Sequence, residues 1–259
     1  MKKFLSLFII YLLISTSVFA RDLRFIQITD VRYKEGENQT ISKVIKDVNK
    51  VKNVEFVVFT GDILDKPQQE NLEAFLAQAK KLKKPFYIVI GDKDVNKHKK
   101  LGKKEFAKIV KKKVRGYKHN TNNFVFEKGG VVFLAVDGTK DVIPSTNGYY
   151  KDNVLEWVDA NLDLYAKKNV VILQHFPIIP PENNENYYTF KPENYLKIIN
   201  EHKNVKAVIS GHFGVNKEIT QNGVIHISTA PAPNYRIIDI IDCTSDNPTF
   251  WAEIKNVNK

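Results

Sequence analysis

The stretch 54–65 constrains the chain more than any other. It reads Val-Glu-Phe-Val-Val-Phe-Thr-Gly-Asp-Ile-Leu-Asp. The β-branched and aromatic run 54–60, closed by Gly-Asp, predicts a buried strand ending in a sharp turn. Gly61 supplies the turn, and Asp62 follows directly. In sheets flanked by helices, ligands bind outside the carboxyl ends of strands, so Asp62 stands where chemistry is usually placed. The same residues also fit a plain strand–turn–helix junction with Asp65 as the helix N-cap. Four other apolar runs end alike. Run 23–29 leads into Asp30-Val-Arg32, and 86–90 into Gly91-Asp92-Lys93-Asp94. Run 170–174 leads into His175-Phe-Pro177, and 205–210 into Gly211-His212-Phe-Gly214. One Asp or His in a loop is common, but five in series at strand ends point to a metal site.

Between these runs the pattern alternates. Helices are expected around 41–51, 69–82, 153–165 and after Pro192, with a basic helix after residue 90. Runs 124–127 and 131–136, joined by Lys128-Gly-Gly130, predict a hairpin. The end of the chain turns to strands, at 218–221, 224–228, 235–242 and 250–254. Alternating βα units with a β-rich end suggest an α/β fold of two packed sheets flanked by helices. Segment 178–190, with Pro180-Pro181 and Tyr187-Tyr188, is expected as a long loop beside His175. It is either a functional loop or a surface excursion.

The first twenty residues are of another kind. Lys2 and Lys3 precede an apolar run at 4–14, and Val18-Phe19-Ala20 offers a cleavage site before Arg21. This is the pattern of a secretory signal peptide. The run falls short of the roughly 20 residues a membrane span needs, and no cysteine near Ala20 supports a lipid anchor. The expectation is an exported protein, periplasmic or secreted, with residues 21–259 forming one domain that does not span the membrane. Cys243 is the single cysteine, so an intrachain disulfide and a multi-cysteine metal site are both excluded. Any metal must rest on His and carboxylates.

The formal net charge of +11 falls to +9 without residues 1–20. Much of it lies in 97–118, which holds eleven Lys or Arg and one acid, Glu105. With Phe106, Ile109, Val110 and Val114 as an apolar stripe, the segment fits a solvated helical face. It also fits an anion-attracting rim beside Asp92. No nucleic-acid motif accompanies the charge. Asn38-Gln-Thr40 matches a glycosylation acceptor and equally a helix start.

In order and spacing, the five segments resemble the motifs of calcineurin-like metallophosphoesterases. That family's pattern is Asp-x-His, Gly-Asp-x-x-Asp, Gly-Asn-His-Asp/Glu, a lone His, and Gly-His-x-His. The resemblance runs from Leu23 to about Pro233. It implies a four-layer sandwich of two mixed sheets between helices, and phosphoester hydrolysis at two metals bridged by Asp62. One metal would use the positions of Asp30, Arg32, Asp62 and Gly214. Arg is always protonated and Gly has no side chain, so this set is incomplete and the second ion is expected to be lost. The other would use Asp62, Asp92, His175 and His212, all competent ligands for Zn, Mn or Fe.

Lys93 stands at the family's catalytic His. It is a poor general acid at neutral pH but able to hold phosphate. Asp30, Asp62 and Asp92 against Arg32 and Lys93 leave one net negative charge, which a divalent ion turns to one positive. Arg32 thus replaces the lost ion electrostatically, gripping phosphate as a fork, or it pairs with Asp30 in a decayed site. The implied function is an exported phosphoesterase using one divalent ion, with Arg32 and Lys93 in catalytic and substrate-binding roles. The alternatives are an inactive binder of phosphate-bearing ligands, or adhesion to an anionic envelope polymer through 97–118. His98, His119, His202 and His226 match no motif and are expected as surface or core residues.

Overall fold

The computed structural model describes residues 22–258 apart from 38, 100, 115, 116, 144 and 185. The signal-peptide pattern at 1–20 and the glycosylation acceptor at Asn38 lie outside the described residues. Two mixed sheets form the centre. The first contains β1 (Leu23–Ile28), β2 (Phe56–Thr60), β3 (Phe86–Val89), β10 (Asn234–Ile241) and β11 (Thr249–Asn256), in the order β11-β10-β1-β2-β3. The second contains β4 (Phe124–Lys128), β5 (Val131–Ala135), β6 (Val170–Leu173), β7 (Val205–Ser210), β8 (Lys217–Gln221) and β9 (Val224–Ser228), in the order β4-β5-β6-β7-β9-β8. Strands β1, β2 and β3 are parallel, as are β5, β6, β7 and β9. Each sheet therefore gathers several carboxyl ends on one edge.

Alternation of side chains fills the layers. Phe25, Phe56 and Ile238 face Phe133, Leu173 and Ile209 in a core between the sheets. Phe25 stacks on Phe56 at 4.9 Å, and both meet the Phe133 ring edge-on. On the outer face of the first sheet, Ile26, Val57 and Phe59 pack against α1 (Gln39–Val48), α2 (Gln69–Ala79) and α3 (Lys103–Lys113). On the outer face of the second, Val132, Ile172 and Val208 pack against α4 (Asp152–Leu164) and α5 (Glu193–Glu201). The layers run helix, sheet, sheet, helix, as the sequence implied.

The basic segment differs from a single helix. A 3-10 turn at Lys97–Lys99 precedes α3, which starts after Gly102 in extended conformation. Phe106, Val110 and Val114 are buried while Lys108, Lys111 and Lys112 are exposed, so this part is the solvated face of an amphipathic helix. Helix α1 ends three residues early. The Asn49 side chain donates to the Lys81 carbonyl and accepts from the Lys83 N–H, tying α1's end to the chain after α2. The described residues of segment 178–190 form a loop, bridged from Thr189 to Gly148. Among the described residues no helix is long and apolar enough to cross a membrane.

Candidate metal centre

Five strand ends converge on one edge of the sandwich. Beyond β2 the chain turns at Gly61, with φ of +93°, and places Asp62. A Cβ on Gly61 would lie 2.4 Å from His175 Nδ1, so the residue is also required by close approach. Asp30, Arg32, Asp62 and His212 all occupy the left-handed region, with φ between 48° and 65°. Such conformations in non-glycine residues concentrate at functional sites. The turns hold one another: the Asp30 N–H donates to the Gly61 carbonyl, that of Arg32 to the Asp62 carbonyl, and that of Gly211 to the His175 carbonyl.

Asp62, Asp92, His175 and His212 each present one ligand atom, and these atoms lie within 4.8 Å of one another. Asp62 and Asp92 come from the first sheet, His175 and His212 from the second. The outward nitrogen of each imidazole is fixed. His175 Nδ1–H donates to the Thr60 carbonyl at 2.7 Å, and His212 Nε2–H donates to the Thr146 carbonyl at 2.7 Å. Those bonds leave His175 Nε2 and His212 Nδ1 turned inward, 3.0 Å apart and in hydrogen-bond contact, each able to offer a lone pair to an ion once it has shed its proton.

Asp92 Oδ1 is buried without a hydrogen-bond partner, though the two inward nitrogens lie 3.3 and 3.1 Å away. A cation is the partner this arrangement lacks. The same negative charges also attract a proton to the His175 ring when no ion is bound. Burial opposes charge on His175, yet Asp62 and Asp92 push its pKa well above the ordinary value. Burial likewise opposes charge on Asp92, yet His175 and His212 hold its carboxyl well below the usual range. The donors thus fit a divalent ion with mixed imidazole and carboxylate ligation.

Asp30 is adjacent but not in the convergent group. Its Oδ2 accepts from the Thr29 hydroxyl at 2.8 Å and from the His212 N–H at 2.9 Å. Its Oδ1 meets one Arg32 nitrogen at 3.4 Å. That contact is single and long, and the Arg32 side chain is 45% exposed. Gly214 is exposed with φ of +87°. Lys93 donates its N–H to Asp62 Oδ1 at 3.0 Å, and its Nζ lies 3.8 Å from Asp62 Oδ2.

Several supporting residues were not singled out from sequence. Buried Asp94 accepts from the Gly91 and Leu64 N–H groups and braces the Asp62 and Asp92 turns together. Burial and the Asp62 charge push its carboxyl well above the ordinary range. Its place four residues into the third motif was the available signal. Below the site, Gln27 donates to the Thr60 hydroxyl and the Ser210 carbonyl, and accepts from Thr229, which in turn accepts from Arg236. The other histidines lie elsewhere. His98 is exposed, His119 stacks on Phe124, His202 meets Asp159 and His226 is buried.

Two mixed sheets between helices, with a carboxylate–imidazole cluster at their strand ends, define an α/β sandwich with a candidate metal centre. The chain belongs to the calcineurin-like phosphoesterase family, whose model matches residues 23–216. It is similar to a probable glycerophosphodiester phosphodiesterase, GpdQ, of Arcobacter nitrofigilis, 21% identical over 229 residues, covering 82% of this chain and 79% of that one. A dimetal phosphatase from Danio rerio superposes with a TM-score of 0.64 at 16% identity, over 88% of this chain and 98% of that one. GAP50, the anchor in the inner membrane complex of Plasmodium, superposes with a TM-score of 0.56 at 16% identity, over 92% and 90%. The family implies divalent metal use, and Asp62, Asp92, His175 and His212 are its candidate site here.

Proposed function

We propose that this protein is an exported phosphoesterase that works with one divalent transition ion, held by Asp62, Asp92, His175 and His212. The observation that carries the reading is the buried Asp92 Oδ1, without a hydrogen-bond partner, facing two inward imidazole nitrogens at 3.3 and 3.1 Å. A divalent ion there supplies Lewis acidity toward a phosphoryl oxygen. The chain's own groups do the rest. Lys93, at the rim, orients the phosphate and offsets its charge. Arg32 is tied to Asp30 by only one long contact, so its guanidinium is free to swing onto an anion as a fork. The relative named as a glycerophosphodiester phosphodiesterase supports phosphodiesters of small alcohols as the first substrates to try. Export rests on the pattern at residues 1–20.

A second reading is a binder of phosphate-bearing ligands without turnover. It is favoured by Arg32 and Gly214 at ligand positions of the second ion and by Lys93 at the catalytic His position. The test is metal analysis of the purified protein with a phosphomonoester and phosphodiester screen. About one bound ion with chelator-sensitive turnover supports the first reading. Metal and phosphate binding with no turnover supports the second. Two tightly bound ions, or none under any loading, would overturn the single-ion site.

A further inference from the structure

Among the described residues nine large apolar side chains are exposed, and five lie on two loops beside the metal centre. Val142, Ile143 and Tyr149 are on the loop between β5 and α4. Tyr187 and Phe190 are on the loop between β6 and α5. Ile143 is 76% exposed and Phe190 50%. The other four, Leu164, Ile241, Trp251 and Ile254, are spread over the end of α4 and strands β10 and β11. Single exposed apolar residues are ordinary; a cluster at the mouth of a site is not.

The two loops are clipped into one surface. Gly148 N–H donates to the Tyr188 carbonyl at 3.0 Å, and Phe190 N–H to the Gly148 carbonyl at 2.8 Å. The Tyr149 and Phe190 rings are 6.4 Å apart. The same surface reaches the centre itself: the Tyr187 ring is 5.8 Å from the His212 ring, and Thr146 accepts the His212 hydrogen bond. Lys140 lies over the Tyr149 ring at 4.9 Å and Lys191 over Phe190 at 5.4 Å. Cations over aromatic faces, with the exposed aliphatic groups Val142 and Ile143 on the same loop as Tyr149, make the amphipathic pattern of a surface that meets headgroups and chains together. The basic segment adjoins it, since Asp141 accepts from the Lys97 and Lys103 N–H groups.

We propose that the site takes a phosphate ester bearing an apolar chain, with the phosphate at the metal centre and the chain along Tyr187, Phe190 and the Val142–Ile143 tip. This rests on the phosphate-binding reading of the centre. A polar substrate such as a sugar phosphate would leave these side chains in water with nothing gained. The Tyr187 ring, 5.8 Å from that of His212, is where such a chain would leave the centre for the two loops.

The test is calorimetric binding of methyl phosphate and of octyl phosphate, kept monomeric, to the zinc-loaded protein. Octyl phosphate should bind about tenfold tighter or more. The double variant Ile143→Ser with Phe190→Ser should bring the two to within about twofold. Both side chains are exposed, and an unchanged Tm confirms folding; Phe190→Ser alone is the second variant. Binding to phosphatidylcholine vesicles containing phosphatidic acid would assign the chain to a lipid surface. Octyl phosphate binding without vesicle binding would assign it to a soluble amphiphile. Equal affinity for the two phosphates, or a preference that the variants leave intact, overturns the proposal while the phosphoesterase reading stands. If neither phosphate binds a protein that has taken up metal, both fall.

Discussion

His175 and His212 reach the centre from the ends of two paired strands, β6 and β7, and they are prepared in the same way. A backbone carbonyl, of Thr60 or Thr146, takes one N–H and turns the other nitrogen inward. Replacing either ring by Ala removes a ligand, and metal affinity should fall on the order of a hundredfold or more by competition against a chelating dye. Asp30→Ala should act more mildly, by roughly tenfold. It removes the acceptor that holds the His212 N–H, not a member of the convergent group. Equal losses for Asp30→Ala and His212→Ala would place Asp30 in the coordination sphere instead.

His226 shows the opposite treatment of an imidazole. Burial lowers its pKa to about 4, and its Nδ1 has no partner. Pro177, Ile178, Val208 and Ile219 line the adjoining hollow, and Lys217 is the charged side chain there. Between about pH 6.5 and 4 the unfolded chain binds a proton that the folded one lacks, so stability falls as pH drops through this window. The loss amounts to roughly 3 kcal/mol at most. His226→Leu should flatten the Tm against pH profile in that window, and an unchanged profile would assign the acid sensitivity elsewhere.

At the scale of elements, the strand-to-turn junction is the working unit. It was legible because apolar runs of strand length end in Asp or His, with Gly61, Gly91 and Gly211 marking the sharp turns at three of them. The basic segment was legible as an amphipathic helix, but its division at Gly102 was not, because a glycine in a lysine-rich run has no periodic signature. Thr146 was not legible at all. It contributes a carbonyl through a loop fold, and backbone groups leave no trace in residue identity. Gly61 tests the unit directly. Gly61→Ala meets both a φ of +93° and His175 Nδ1 at 2.4 Å. It should lower stability by about 2 kcal/mol or more and weaken metal binding by displacing His175. At Gly214, by contrast, nothing lies within 4 Å of an added Cβ, so only the φ of +87° resists substitution, at about 1 kcal/mol. Arg32→His with Gly214→His should therefore fold and take up a second ion, whereas neither change alone should. Elemental analysis still giving one ion would show that the two turns do not bring four ligands together.

Across the whole molecule the centre joins two sheets that otherwise meet through side chains. β1 pairs with β10, so that Leu23 lies opposite Ile240. Separations of that length are invisible to local pattern, which is why the sequence yields the strands but not their order. The inter-sheet core is apolar except near the site, where Gln27 spans from β1 to the Ser210 carbonyl of β7. Above that bridge, Asp62 and Asp92 of one sheet face His175 and His212 of the other. An ion held by these four residues would clamp the sheets together, and the unfolded chain cannot reproduce the geometry. Binding to the folded state alone stabilises by about 4 kcal/mol at a thousandfold excess over Kd. For a chain of this size that raises Tm by about 10 °C. Removing metal with a chelator should lower Tm by that amount, and His175→Ala should be nearly indifferent to chelator. The loss should be reversed by one equivalent of zinc or manganese, with no further rise at two. A Tm that is unaffected by chelator in a protein shown to contain metal would mean that the ion lies elsewhere than between the sheets.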